Sequence, residues 1–192
     1  MSHQTYTTEA LVCGGYEHNT SDKSFLLFTK SAGMLYATAR SVREEKSKQR
    51  NALQEFSRIR VSLIKGKSGW RIGSVETSQN DFALAYDRAT RGSIVMLYKT
   101  LRRFIHGEEA SPELFDFCVE ALDELVKENE DRKFIELFVK LQILHKLGYV
   151  NLKIIPPILK ESHISNIHKY QNDEITKEIS GLIDNAVENS QL

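Results

Sequence analysis

Arg58-Ile59-Arg60-Val61-Ser62-Leu63 alternates without a break, with Ile59, Val61 and Leu63 on one side and Arg58, Arg60 and Ser62 on the other. A period of two is the spacing of a half-buried antiparallel strand, because successive side chains leave a pleated chain on opposite faces. Downstream, Gly66-Lys67-Ser68-Gly69 supplies turn chemistry and Trp70–Val75 a further strand. Upstream, Thr8–Cys13, Ser24–Thr29 and Met34–Ala39 are short apolar or alternating runs. Gly14-Gly15, Asn19–Asp22 and Ser31-Ala32-Gly33 separate them as turns. The pattern predicts five short strands in residues 1–78, with one helix at Lys46–Gln54 between the third and fourth.

Five strands with a helix at that point match the order of an OB-fold, a small closed barrel. From Asp81 onward the period changes to that of helices. Asp81 is placed to cap a segment running to about Ile105, ended by Gly107. Ser111-Pro112-Glu113 is a helix start: a hydroxyl cap, proline at the first helical position, and an acid near the positive end of the dipole. Leu114, Phe117, Cys118, Ala121, Leu122 and Leu125 follow at core spacing. The next helix carries Phe134, Leu137, Phe138, Leu141 and Leu144 and stops at Gly148. Pro156-Pro157 breaks the chain, and a last amphipathic stretch holds Ile175, Ile179, Leu182, Ile183, Ala186 and Val187. The expected architecture is α+β: a five-stranded OB-fold barrel over residues 1–78 and an all-α domain of about four helices over 79–192.

Composition excludes several classes. A chain of 192 residues with 41% hydrophobic and 27% charged residues buries enough surface to fold without a disulfide or metal. Its two cysteines, Cys13 and Cys118, stand in no paired spacing and read as reduced, apolar residues of a cytosolic protein. No apolar run approaches the ~18 residues of a membrane span. Met1–Thr8 has neither the basic start nor the hydrophobic stretch of a secretory signal. The net charge is zero, yet residues 1–77 hold 12 Lys/Arg against 7 Asp/Glu, while residues 78–192 hold 14 against 19. Opposite charge in the two halves points to different partners, with a polyanion facing the basic one.

Catalytic patterns are missing. Gly66-Lys67-Ser68 resembles the end of a phosphate-binding loop, but Val61 stands where that motif needs glycine, so a hairpin turn is the better reading. His163 and His168 have no cysteine nearby to complete a zinc set. The informative stretch is Ala39 to Phe56, which places Arg40, Arg43, Lys46, Lys48 and Arg50 within eleven residues directly after a strand. These side chains can follow a phosphate backbone, and Arg58, Arg60 and Arg71 extend the surface if the fourth and fifth strands pair. Tyr36 and Trp70 are candidates to stack on bases. The alternative is a solvated helix in which Glu44 and Glu45 pair with Lys48. Charge alone does not choose between them.

The order of motifs resembles the RecO recombination mediators of bacterial DNA repair. The resemblance starts at Thr8-Glu9-Ala10-Leu11-Val12 and runs through Asp22–Thr29 with Gly33. It is clearest at Ala39-Arg40, Lys46-Ser47-Lys48 and Ala52-Leu53-Gln54-Glu55-Phe56. It continues at Pro112-Glu113-Leu114-Phe115, Arg132-Lys133-Phe134-Ile135-Glu136-Leu137 and Leu147-Gly148-Tyr149, covering about residues 6–150. The resemblance implies an N-terminal OB-fold and a helical C-terminal domain. It also implies binding of single- and double-stranded DNA, annealing of complementary strands and loading of the RecA recombinase, without nuclease or ATPase activity. The implied partners are RecR and the acidic C-terminal tail of single-stranded DNA-binding protein; no cofactor, membrane or small-molecule substrate is implied, and the setting is the bacterial cytoplasm and nucleoid. Arg40, Arg43, Lys46, Lys48 and Arg50 occupy the family's DNA-contacting segment. Arg132 and Lys133 start a helix resembling its tail-binding region, or else form a solvated first turn. Thr38-Ala39-Arg40-Ser41 departs from the family's lysine-glycine pair, Glu44 and Glu45 dilute the basic segment, and Val150-Asn151-Leu152-Lys153 replaces a four-cysteine zinc site. An adaptor that binds proteins and has little DNA affinity is the alternative.

Overall fold

The computed structural model describes residues 5–128, 130–154, 157–160 and 162–190. The chain divides into two compact units, Met1–Leu84 with Ile105–Phe115, and Ala85–Phe104 with Asp116–Leu192.

Five strands build the first unit: β1 (Thr5–Glu17), β2 (Lys23–Thr29), β3 (Gly33–Ala39), β4 (Ser57–Gly66) and β5 (Gly69–Asn80). They close in the order β1-β2-β3-β5-β4, with β4 returning to β1. Neighbours are antiparallel except β3 and β5, which run parallel through Ala37 opposite Trp70 and Thr38 opposite Arg71. The alternation in β4 is realised: Ile59, Val61 and Leu63 are buried with Ala10, Val12, Phe25, Leu27, Leu35 and Ile72. Burying each of the larger side chains contributes about 1.5–3 kcal/mol, and closure pairs the strand edges with one another.

Two local expectations fail here for tertiary reasons. Gly14-Gly15 is not a turn but lies inside β1, where the register to β2 shifts between Val12 and Gly14. A Cβ on Gly15 would lie 2.5 Å from the Ser24 carbonyl oxygen, so glycine answers a close backbone approach and the strand runs on to Glu17. The helix expected at Lys46–Gln54 does not form. Described residues 40–56 run as successive turns, with Glu44 N–H donating to Ser41 O, Ser47 to Glu44 and Arg50 to Ser47. Tertiary anchors dictate that path. Val42 and Leu53 enter the barrel core, Asp22 accepts from Ser41 N–H at 2.8 Å, and Gln49 Nε2 donates to Gly73 O at 2.8 Å.

Asp81 also departs from its expected role. It is fully buried and accepts from Arg58 Nε (2.8 and 3.1 Å) and Gln79 Nε2 (3.0 Å). Asn80 instead caps the one-turn α1 (Asp81–Leu84), accepting from Ala83 N–H at 2.9 Å. A fresh start follows at Asp87, whose carboxylate accepts from Thr90 N–H at 2.6 Å and opens α2 (Arg88–Phe104). The hydrogen bond donated by the Thr90 N–H holds the Asp87 carboxyl below its usual range.

Next come α3 (Pro112–Leu125), α4 (Arg132–Lys146), the one-turn α5 (Pro157–Lys160) and α6 (Asp173–Asn189), with short 3-10 segments at Leu152–Ile154 and Ile164–Tyr170. Among the described residues, four α-helices exceed a single turn. Pro157 opens α5, while Pro156 lies outside the described residues. In the second unit α4 is central, contacting α2 and α6. Its Phe134, Phe138, Leu141 and Leu144 are buried, as are Leu97 and Leu101 of α2 and Ile179 and Ile183 of α6. No helix among the described residues is long and apolar enough to cross a membrane.

Candidate nucleic-acid interface

Opposed residues in neighbouring strands share a face, so register sorts the barrel's outer side chains. Tyr16 faces Ser24, Ser24 faces Thr38, and Thr38 faces Arg71 across β1, β2, β3 and β5. The Ser24 and Thr38 hydroxyls share a hydrogen bond of 2.9 Å in this row. Tyr36 lies two residues before Thr38 on the same face, opposite Leu26. Gly14 faces Leu26 from β1 without a side chain, and Tyr16 meets Tyr36 edge-on across that gap, with ring centroids 5.4 Å apart. Both rings are half exposed, at 52% and 53%. Buried aromatic rings belong to cores; two large rings left this open on one sheet face offer a stacking surface for bases.

The connector after β3 brings cations to the same end. Arg40, Lys46 and Arg71 line one cleft of about 390 Å³, together with Glu44, Gln49 and Ile72. Arg40 and Lys46 are exposed and Arg71 is half-buried. Arg43 and Arg50 face a second cleft of about 770 Å³, shared with Lys23, Glu17, Glu45 and Glu55, so the cations there are matched by acids. Arg43 itself is a strut. Its guanidinium donates to Asn19 O at 2.8 Å and pairs with Glu17 at 3.1 Å, tying the connector to the end of β1. Asp22 backs up that tie. The Ser41 amide, then the Asn19 side chain, hold its carboxyl below its usual range. Lys48 is exposed and lines neither cleft.

The remaining expected residues are placed elsewhere. Arg58 is buried against Asp81, with Nη2 2.8 Å from Oδ1. It is therefore not on the exposed surface. Arg60 is exposed on β4 but stands between Glu9 of β1 and Glu76 of β5, and lines a different cleft with Lys30 and Ser78. Trp70 points into the core at 8% exposure, covered by Tyr6 edge-on at 5.6 Å and by Lys65 Nζ at 4.8 Å. The neighbouring Trp70 side chain, and Lys65 Nζ at 3.1 Å, hold the Glu108 carboxyl below its usual range. In the helical unit, Arg132 donates to Leu125 O (2.7 Å) and Lys127 O (2.8 Å), closing the carbonyl end of α3, while Lys133 is exposed. His163 bonds Ser165 and lies 3.7 Å from Glu120. Among the described residues no group of three His, Cys, Asp or Glu side chains is arranged to hold a metal ion.

Tyr16 escaped the sequence reading. Taking Gly14-Gly15 as a turn ended the first strand before it. The alternative signal was the run Tyr6–Cys13 continuing into Tyr16-Glu17 through two glycines, which also describes a bulged strand.

A closed barrel of this strand order defines the first unit as an OB-fold, accompanied here by a helical unit. The comparisons with known proteins are specific. Recombination protein O N terminal matches residues 1–80 and Recombination protein O C terminal matches residues 86–150. The DNA repair protein RecO of Desulfitobacterium hafniense (strain DSM 10664 / DCB-2) is 28% identical over 144 residues, 75% of this chain and 52% of the relative. That of Syntrophobacter fumaroxidans is 24% identical over 148 residues, covering 77% and 58%. That of Myxococcus xanthus is 26% identical over 113 residues, covering 58% and 46%. The chain belongs to the RecO family. It spans about half the length of the curated relatives it matches.

Proposed function

We propose that this chain is a DNA repair and recombination mediator that binds single- and double-stranded DNA, anneals complementary strands, and helps load recombinase onto DNA coated by single-stranded DNA-binding protein. The observation that carries the reading is the meeting of the Tyr16–Tyr36 pair with Arg71 on one barrel face, next to the cleft of Arg40 and Lys46. Rings stack on bases of any sequence, and the cations neutralise phosphates. Neutralisation lowers the repulsion between two strands, so annealing needs no nucleotide hydrolysis. Lys48 adds charge at the rim, and Arg43 holds the connector in place. RecR and the acidic tail of single-stranded DNA-binding protein are the proposed partners, by kinship with the family, with the exposed Lys133 a contact for the tail. The work is proposed to take place in the bacterial cytoplasm, at the nucleoid.

The test is fluorescence anisotropy of a labelled oligo(dT) across a salt series, beside Arg40→Ala/Lys46→Ala/Arg71→Ala. Each lost phosphate contact removes about 0.7 from the log–log salt slope for a single strand, so the triple variant should be shallower by about 2. Equal slopes would move the DNA contact off this face. No binding by the parent chain at low salt would sink the mediator reading and favour an adaptor that acts through proteins.

A further inference from the structure

The hairpin that joins β4 to β5 is a second concentration of positive charge on the barrel. Lys65, Lys67 and Arg71 fall within seven residues, and neither strand carries an acid before Glu76. Both lysines are exposed. Arg71, on the face of Tyr16 and Tyr36, lies opposite Ile64, so Lys65 stands one residue along from that pairing. The hairpin therefore prolongs the proposed DNA track past Arg71 to the end of the barrel. There Tyr6 meets Trp70 edge-on and keeps 39% of its surface exposed.

An anion already occupies this point. Glu108 reaches Lys65 from a strap at residues 107–109, within the Ile105–Phe115 segment that groups with the barrel, and its Oε2 lies 3.1 Å from Nζ. Backbone contacts fix the strap. Met34 N–H donates to Gly107 O at 3.0 Å, and a Cβ on Gly33 would lie 2.4 Å from Glu109 O. The ion pair is not needed to hold it there. Its two side chains are 56% and 47% exposed, and a pair this open to water adds little to stability. What it does is keep a carboxylate on a cation beside the DNA-facing surface. The Trp70 side chain and Lys65 hold that carboxyl low, so it is ionised at neutral pH. The Trp70 ring, 4.8 Å from Nζ, gives the ammonium a second support at the rim when the carboxylate leaves. Lysine is a point charge on a flexible stem and trades one oxygen anion for another without a fixed fork geometry. A screened pair yields readily to a polyanion, whose binding is driven by release of condensed counterions.

We propose that Lys65 is a further contact to the DNA backbone and that Glu108 is its competitor. The carboxylate stands in for a phosphate in the free protein and gives up the ammonium when a strand binds. The inference rests on the reading that the barrel binds DNA.

The test is a double-mutant cycle on the full chain, read by anisotropy of labelled oligo(dT) across a salt series. The variants are Glu108→Gln, Lys65→Gln, the two combined, and Lys65→Arg, which keeps the cation; circular dichroism and urea midpoints check each fold. Glu108→Gln should bind about two- to fivefold more tightly than the parent, at the parent's salt slope. Lys65→Gln should bind more weakly, with a slope shallower by about 0.7, and Lys65→Arg should keep the slope. In the Lys65→Gln background, Glu108→Gln should gain nothing. No gain in folded Glu108→Gln would overturn the inference, as would an unchanged slope in Lys65→Gln. An equal gain with Lys65 removed would overturn it too, and assign the effect to the general field of charge. A slope steeper by about 0.7 in Glu108→Gln would show that Lys65 stays on Glu108 in the parent complex, and would overturn the exchange. Affinity that Arg40→Ala/Lys46→Ala/Arg71→Ala leaves unchanged would instead overturn the reading of the barrel, and no binding by the parent at low salt would overturn both.

Discussion

Arg58→Met should destabilise the barrel sharply while leaving DNA binding by the folded protein intact. Arg58 offers three short contacts to Asp81, at 2.8, 3.1 and 2.8 Å, with its side chain 11% exposed and that of Asp81 0%. Removing the guanidinium leaves a carboxylate without solvent and without its principal counter-charge. Breaking one side of such a buried pair costs about 3–5 kcal/mol. With a urea dependence of about 2 kcal/mol per molar for a chain of this size, the midpoint should fall by roughly 1.5–2.5 M. Trp70 is the single tryptophan and sits in the barrel core, so its emission reports this unit directly. Arg58→Met/Asp81→Leu should recover most of the loss, because an apolar pair avoids the cost of desolvating two charges. A midpoint shift below about 0.5 M for Arg58→Met, equivalent to about 1 kcal/mol, would refute the buried-pair argument. A flatter salt slope for oligonucleotide binding at unchanged stability would show instead that Arg58 touches DNA.

Three further outcomes are expected. Tyr36→Ala and Tyr16→Ala should each weaken oligo(dT) binding by about 1–3 kcal/mol, as lost stacking does, with little change in salt slope; affinities equal to the parent's would remove the rings from the interface. Gly33→Ala should lower the melting temperature, since φ is +65° and a Cβ would lie 2.4 Å from Glu109 O. Strain of about 1–3 kcal/mol is typical of such a position, and an unshifted melt would mean that the loop at Glu109 yields freely. Asp22 should anchor the connector at neutral pH and release it in acid. Its folded pKa lies below the ordinary 3.8, so its contribution is full above that value and fades as pH falls through the lower folded one. Protection of the Ser41 amide against exchange should therefore fall in Asp22→Ala, which removes the acceptor, at about pH 6, and in the parent chain only in stronger acid; identical protection at about pH 6 would exclude this anchor.

Much of the fold was legible because its signals are local. The alternation of Ile59, Val61 and Leu63, the hairpin at Gly66–Gly69, the Ser111-Pro112 helix start and the stop at Gly148 each depend on neighbours within a few residues. The basic run after Ala39 was legible for the same reason, but its division was not. Arg40, Lys46 and Arg71 share a cleft because Gln49 and Val42 draw the connector over β5 and the core, whereas Arg43 is taken up by Glu17 and Asn19. No helix-forming tendency in Lys46–Gln54 survives anchors supplied from 24 residues away.

By itself, then, the sequence determined the five strands, the change to helices after Asp81, the asymmetry of charge and the membership of the RecO family. Tertiary structure alone decided that Tyr16 joins Tyr36, that Arg58 is spent on Asp81 23 residues away, that Trp70 is covered, and that residues 105–115 group with the barrel. The reason is one of range. Periodicity and capping are satisfied within one strand or turn, but a register, a buried charge pair or a bulge is chosen by what lies opposite once the barrel has closed.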